Sequence, residues 1–380
     1  MTATNTIKRL YEEQGQSVWQ DDISRQMIQD GTLRYRIEEV GIRGVTSNPT
    51  IFQKAIAGSD AYDEDIKAHL GEGKSAAEIF QAVAVRDIQD ACDLFRPLYD
   101  ASGGEDGFVS IEVLPSLARD TEGTIENART LWNAVDRPNL MVKVPGTDEG
   151  VPAIRQLLTE GININITLLF SLENYERVAR AYIEALQARH DAGLPIDTIA
   201  SVASFFVSRV DTLADRLLDE KLAAGGDAAR INALKGKVAV ANARLAYERF
   251  EQIFGEETFR PLVDAGARVQ RPLWASTGTK NKAYSDVLYV ETLIGPHTVN
   301  TMPIATIEAF LDHGTVARTV DTDYVGAHQV MEDLASVGIS IDAITRQLED
   351  EGIEAFMHSY DELLDGVESK RSALAGATSA

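Results

Sequence analysis

139-NLMVKVPGT-147 sets one charged side chain, Lys143, in an apolar run, with Leu140-Met141-Val142 before it and Val144-Pro145 after. A strand alternates faces with a period of two. Met141 and Lys143 therefore share one face, and Leu140, Val142 and Val144 the other. Pro145-Gly146 ends the strand, which puts the amine at its C-terminal tip. Burying an ammonium is costly, and desolvation pushes a lysine pKa down towards neutrality. A neutral amine can form a Schiff base with a carbonyl. Taken alone, the stretch reads first as an ordinary strand-end lysine whose ammonium snorkels to water.

Working outward, short strand patterns recur at 17–20, 44–46, 108–113, 162–167, 198–206, 271–275 and 298–301, each separated from the next by helical sequence. The helical patterns cover 4–14, 24–30, 32–40, 60–70, 76–98, about 122–135, about 149–160, about 171–190, 206–222, 228–254 and a stretch near 283–293. The segment from Ser75 to Glu78 is a capping box opening the helix at 76. Pro49 bars simple continuation of the 44–46 strand. The tail from about 303 to 375 is helical, broken at Gly314 and Gly338. With the Lys143 strand the count is eight, the pattern of an α/β (β/α)8 TIM barrel. A doubly wound open sheet in two domains is the rival, but no linker or composition break divides the chain. The expectation is one barrel domain over 1–380 with an N-terminal helix. A helical insertion at about 220–270 would pack outside the main body, and a helical tail would run over about 340–375.

The composition narrows the partners. A net charge of −23 leaves no basic surplus to neutralise nucleic-acid phosphates or an anionic membrane. An anionic substrate must then be held by a few local cations. The lone cysteine, Cys92, lies in a helical pattern and reads as core; one cysteine forms no internal disulfide, which fits a reducing, cytoplasmic setting. There is no membrane-span-length apolar run, no apolar leader and no phosphate-loop or dinucleotide fingerprint. The six histidines are scattered, so no metal site and no cofactor is expected.

In a barrel of this kind chemistry lies at the C-terminal strand ends. Strand one ends in Asp21 and strand two in Asn48; strand three carries Ser110 and Glu112 in phase. Strand five presents Asn163, Asn165 and Thr167 on one face. Strand six ends in Ser204 and Phe206, with Arg209 just beyond, and strand seven runs into Ser276-Thr277-Gly278-Thr279-Lys280. Buried amides and carboxylates need partners. Seven strand ends populated in this way reverse the plain reading of Lys143. A lysine and two acids among amides and hydroxyls suit a Schiff-base aldolase or related transferase, chemistry that needs no metal.

These motifs resemble the transaldolases of the longer bacterial type: Thr46-Ser47-Asn48-Pro49-Thr50, Ser110-Ile111-Glu112-Val113, Val142-Lys143-Val144-Pro145-Gly146-Thr147, the run from Asn163 to Ser171, and Ser204-Phe205-Phe206-Val207-Ser208-Arg209. The resemblance spans most of the chain. It implies a (β/α)8 barrel of the pentose phosphate pathway. The implied reaction transfers a dihydroxyacetone unit from sedoheptulose 7-phosphate to glyceraldehyde 3-phosphate, giving erythrose 4-phosphate and fructose 6-phosphate. It implies Lys143 as the Schiff-base lysine and Asp21 as the proton-exchanging acid, with Asp22 the competing alignment. Glu112 and Thr167 would hold a catalytic water. Asn48, Asn165 and Ser204 would bond the dihydroxyacetone unit, with Phe206 beside them. Arg209 would bind phosphate, and Lys280 stands near a second phosphate-binding arginine, keeping its charge without its fork. The related fructose 6-phosphate aldolases have Gln and Tyr where this chain has Glu112 and Phe206, which favours transfer. The alternatives are an aldolase using the same lysine to release free dihydroxyacetone, and a non-catalytic sugar-phosphate-binding barrel. The partners expected are small sugar phosphates, with no nucleic acid and no membrane, for a monomer or homodimer.

Overall fold

A computed structural model describes residues 5–378. Its eight strands are β1 (Gln16–Gln20), β2 (Gly44–Val45), β3 (Phe108–Glu112), β4 (Leu140–Pro145), β5 (Ile164–Leu169), β6 (Ser201–Phe206), β7 (Arg271–Ala275) and β8 (Thr298–Met302). All pair in parallel, and β8 returns to β1, closing the (β/α)8 barrel expected from the sequence. The longer helices are α1 (Thr6–Gln14), α2 (Pro49–Ala57), α3 (Ala76–Ala101), α4 (Thr121–Val135), α5 (Gly150–Glu160), α6 (Leu172–Asp191), α7 (Ser208–Ala223), α8 (Val238–Gly255), α9 (Ile304–His313), α10 (Tyr324–Ser336) and α11 (Ile341–Thr378). Among the described residues no helix is long and apolar enough to cross a membrane.

Every residue of β4, β5 and β6 is buried, because helices cover one face and the barrel interior the other. That leaves the strand sequence free to be apolar towards the helices and polar towards the mouth. β2 is short and tight for a local reason. A Cβ on Gly44 would lie 2.6 Å from the Trp19 indole, so only glycine lets β1 and β2 meet across that ring.

The N-terminal end of the barrel is shut by a charge cluster. Asp106, fully buried just before β3, accepts from Ser17 Oγ at 2.6 Å, Arg43 Nε at 2.6 Å, Arg271 Nη2 at 3.1 Å and Trp19 Nε1 at 3.3 Å. Burial alone would raise its pKa, but Arg271 and Arg43, with the bond from Ser17, hold it below the ordinary carboxylate range.

Several expectations are corrected by packing. The helix α2, absent from the pattern reading, starts where Asn48 accepts from Ile51 N at 3.0 Å and Pro49 takes the first turn. The fifth strand runs two residues later than expected, so Asn163 lies below it. Its amide is engaged by backbone at the strands' lower ends, donating to Pro138 O and Leu140 O and accepting from Ala200 N. The stretch near 283–293 keeps only the helical turn Leu288–Glu291. The 228–254 pattern breaks after Leu234, where Gly236 takes a left-handed φ of 69° against the Tyr284 ring.

The insertion at 220–270 does not pack outside the body. α8 buries Val238, Ala239, Ala243, Ala246 and Tyr247 against β7, α6 and α7. Asp211 on α7 accepts from Ala239 N at 2.8 Å, and Asn242 donates to Phe170 O at 2.8 Å. A capped N-terminus and an apolar face make α8 part of the barrel's outer wall.

Candidate active site

The C-terminal ends of the strands surround a cavity of about 360 Å³ whose wall includes Asp21, Asn48, Lys143, Thr167, Ser204, Phe206, Arg209 and Lys280. Eight residues singled out from seven different chain segments therefore meet in one space.

Lys143 is at its floor, 5% exposed. Strand register sets it between Glu112 on β3 and Asn165 on β5. Its Nζ donates to Ser47 O at 3.3 Å and lies 3.5 Å from Glu112 Oε2, an ion-pair distance too long for a good hydrogen bond. Glu112 is correspondingly unusual. Burial raises its carboxyl pKa, Lys143 pulls it back only in part, and it ends at about 7. Glu112 also lines a smaller cavity of about 140 Å³ together with Phe52, Phe80 and Tyr360.

Glu112 Oε2 and Thr167 Oγ1 are both buried without a hydrogen-bond partner among the described residues. A water or a substrate hydroxyl would satisfy them. Immediately after Thr167, Leu168 adopts φ 58° and the β5–β6 register shifts between Ile166 and Leu169. Ser276 at the end of β7 is also left-handed, at φ 56°. Two of the four left-handed non-glycine positions among the described residues thus stand at the C-terminal ends of strands.

Asp21 faces the cavity and accepts from Thr46 Oγ1 at 2.7 Å. Asp22 is not part of that wall, and its pKa is raised, by burial first and by Asp21 second. Asp21 continues the phase of Ser17 and Trp19 along β1. Asn165 sits behind the wall, donating to Ser110 Oγ at 3.0 Å and accepting from Ser204 Oγ at 2.7 Å. It orients Ser204 from below. Asn48 commits its Oδ1 to the α2 cap, so the group it can offer a ligand is its NH₂.

Three cations mark the anionic end. Arg209 is half-buried over the Phe206 ring at 5.3 Å, and among the described residues its guanidinium has no hydrogen-bonded or ion-pair partner. Lys280 is exposed at the rim and shared with a neighbouring cleft lined by Asp211, Asp215 and Asp219. The third, Lys54, was missed from the sequence, as were Thr46, Thr301 and Phe356. Lys54 follows Thr50 by four residues on α2, so recognising the Asn48-Pro49 helix start would have found it. Thr46 and Thr301 hydroxyls meet at 2.7 Å beside Asp21. Phe356 had no local signal at all, since it comes from α11, more than two hundred residues beyond Lys143.

An amine beside a carboxyl group that titrates near neutrality can pass its proton on and attack a carbonyl. If the Glu112 carboxylate is the base, kcat/KM should rise as pH increases through about 7. Below that pH the carboxyl is protonated and cannot accept. Glu112→Gln should flatten this limb and lower kcat roughly 10²–10⁴-fold. A pH–rate profile with an unchanged limb in the variant would remove Glu112 from that step.

The sequence matches the profile of the family described as transaldolase/fructose-6-phosphate aldolase over residues 18–367. It is 50% identical over 364 residues to a protein named transaldolase from Trichodesmium erythraeum, covering 94% of this chain and 96% of that one. It is 49% identical over 360 residues to a transaldolase of Thermobifida fusca, and 48% identical over 360 residues to one of Mycolicibacterium smegmatis, each covering 94% of this chain and 96% of the relative.

Proposed function

The chain belongs to the transaldolase/fructose-6-phosphate aldolase family, and on that footing we propose that it works as a transferase whose Schiff base forms on Lys143. The proposed reaction moves a dihydroxyacetone unit from sedoheptulose 7-phosphate to glyceraldehyde 3-phosphate. The observation that carries it is the burial of one amine at the cavity floor, 3.5 Å from a carboxyl group raised to about 7.

Lys143 attacks the ketose carbonyl, and Glu112 takes up and returns the protons as the carbinolamine loses water. A water held by Glu112 Oε2 and Thr167 Oγ1 relays them. The resulting iminium draws electrons from the adjacent carbon. Asp21, fixed by Thr46, then takes the proton of the donor hydroxyl, the C–C bond breaks and its electron pair enters the iminium as an enamine. Attack of that enamine on an aldehyde reverses the steps. Ser204 and the Asn48 NH₂ bond the dihydroxyacetone hydroxyls. Arg209, with Lys280 and Lys54 at the rim, holds the phosphate, which supplies the local positive charge that a chain of net −23 otherwise lacks.

Transfer is favoured over simple aldol release by one feature of the wall. Phe206 presents a ring to the cavity that holds the amine and has no hydroxyl with which to hold a water there.

Borohydride reduction in the presence of fructose 6-phosphate should add a three-carbon unit to Lys143, read by peptide mass spectrometry. An active preparation whose Lys143 peptide stays unmodified would exclude the mechanism. Turnover should also require an aldehyde acceptor.

A further inference from the structure

The barrel mouth is not open to solvent above Lys143. α11 crosses it, and Phe356 of that helix stands with its ring centroid 5.6 Å from Lys143 Nζ, only 6% exposed. The helix is anchored along its length. Asn174 donates to Glu349 at 2.7 Å, Arg119 pairs with Asp350, and Thr50 donates to Ser359 at 2.8 Å. Lys370 donates to Ser59 O and to Asp63 at 2.7 and 2.8 Å. One turn before Phe356, Gly352 lies flat on the β5 end. A Cβ there would come within 2.9 Å of Leu168 Cδ2 and 3.6 Å of Arg209 Nη1. The left-handed turn at Leu168 turns that side chain up to meet the helix. One turn after Phe356, Tyr360 packs edge-on against Phe80, which packs edge-on against Phe52. α11 is therefore a fixed roof, close enough to touch the reacting nitrogen.

We propose that Phe356 is a specificity-determining residue of this site, roofing the enamine against water so that the dihydroxyacetone unit is passed to an aldehyde instead of being released. This rests on the Lys143 Schiff-base reading. After C–C cleavage the electron pair resides on the enamine. Protonation at its carbon regenerates the iminium, and addition of one water then converts C=N to C=O, freeing dihydroxyacetone and the amine. Both the proton and the oxygen come from water, one molecule per release. An aldehyde acceptor forms a C–C bond at the same carbon and leaves through the same iminium. The partition depends on how readily water reaches a carbon next to Nζ. The Phe356 face also suits the cationic iminium that precedes C–C cleavage, through the ring quadrupole. With Phe206, which lines the same cavity, it gives that cavity two aromatic walls.

The test compares wild type, Phe356→Ala and Phe356→Leu in two assays on fructose 6-phosphate. One measures free dihydroxyacetone without an acceptor, the other transfer to erythrose 4-phosphate. The ratio of release to transfer should rise about tenfold in Phe356→Ala, which opens the roof. It should move less in Phe356→Leu, which keeps most of the volume and loses the ring. A purely structural role would lower both rates together, and an unchanged ratio in both variants overturns the proposal. Should Phe356→Ala fail to unfold cooperatively, Phe356→Leu decides, because any loss of the ring's contribution must raise its ratio above wild type. Borohydride trapping in the same preparations separates the two readings. Trapping at Lys143 with an unchanged ratio sinks the role of Phe356 alone, whereas no trapping in active wild type sinks the Schiff base beneath it.

Discussion

Lys143→Arg should fold as the wild type does and lose turnover by on the order of 10⁴-fold or more. Arginine keeps the positive charge, so it can still face Glu112 and the Ser47 carbonyl. What it cannot do is shed a proton and form an imine, since a guanidinium stays protonated at any working pH. The substitution thus separates charge from nucleophilicity. Sugar-phosphate binding, proposed for Arg209, Asn48 and Ser204, should fall far less than kcat. The measurement is steady-state transfer activity together with ligand binding by calorimetry. Residual kcat above about a tenth of wild type would mean the lysine supplies only charge, and a lost thermal transition would mean that Lys143 holds the fold together.

The second large effect is at the opposite end of the barrel. Asp106→Ala should destabilise the fold by about 3 kcal/mol, because it leaves the half-buried Arg43 and Arg271 without their counter-charge. Ser17 and Trp19 lose an acceptor in the same step. Catalysis at 25 °C should be little altered in the fraction that folds. The pH dependence has a definite sign. The Asp106 pKa is depressed in the folded state, so its contribution is present above the unfolded carboxylate value of about 3.9 and fades as pH falls through the folded one. The stability gap between wild type and Asp106→Ala, measured by denaturant melts, should therefore be full at neutral pH and narrow only in acid. A gap under about 1 kcal/mol at pH 7 would show the arginines reach solvent once the carboxylate is gone.

These two residues also mark different degrees of legibility. Lys143 could be found because a charged residue interrupts an apolar strand, and strand phase points it inward. The same rule located Asp21, Thr167, Ser204 and Phe206, which line the mouth, and Glu112, which meets Lys143 from an adjoining cavity. Phase works here because parallel strands buried on both sides show polar residues only where the barrel axis needs them. It failed at Asn163, which alternates correctly but falls below the true start of β5, where backbone groups claim its amide. Asp106 lay in a Gly-rich loop and looked like an ordinary turn residue. Only when β1, β2 and β7 converge do Ser17, Arg43 and Arg271 surround it.

The sequence by itself determined the eight-strand order, the strand and face of Lys143, and most of the polar groups that accompany it. These follow from local periodicity, which a strand imposes whatever its neighbours do. The tertiary structure alone decided which groups restrain one another. It set the Glu112 carboxyl near neutrality by burying it beside Lys143. It set the Thr46 and Thr301 hydroxyls beside Asp21. It built α8 into the wall, and it laid α11 across the mouth so that Phe356 reaches Lys143. The physical reason is the same in each case. Desolvation, charge coupling and roofing depend on distances between segments far apart in the chain, and no spacing within one segment encodes them.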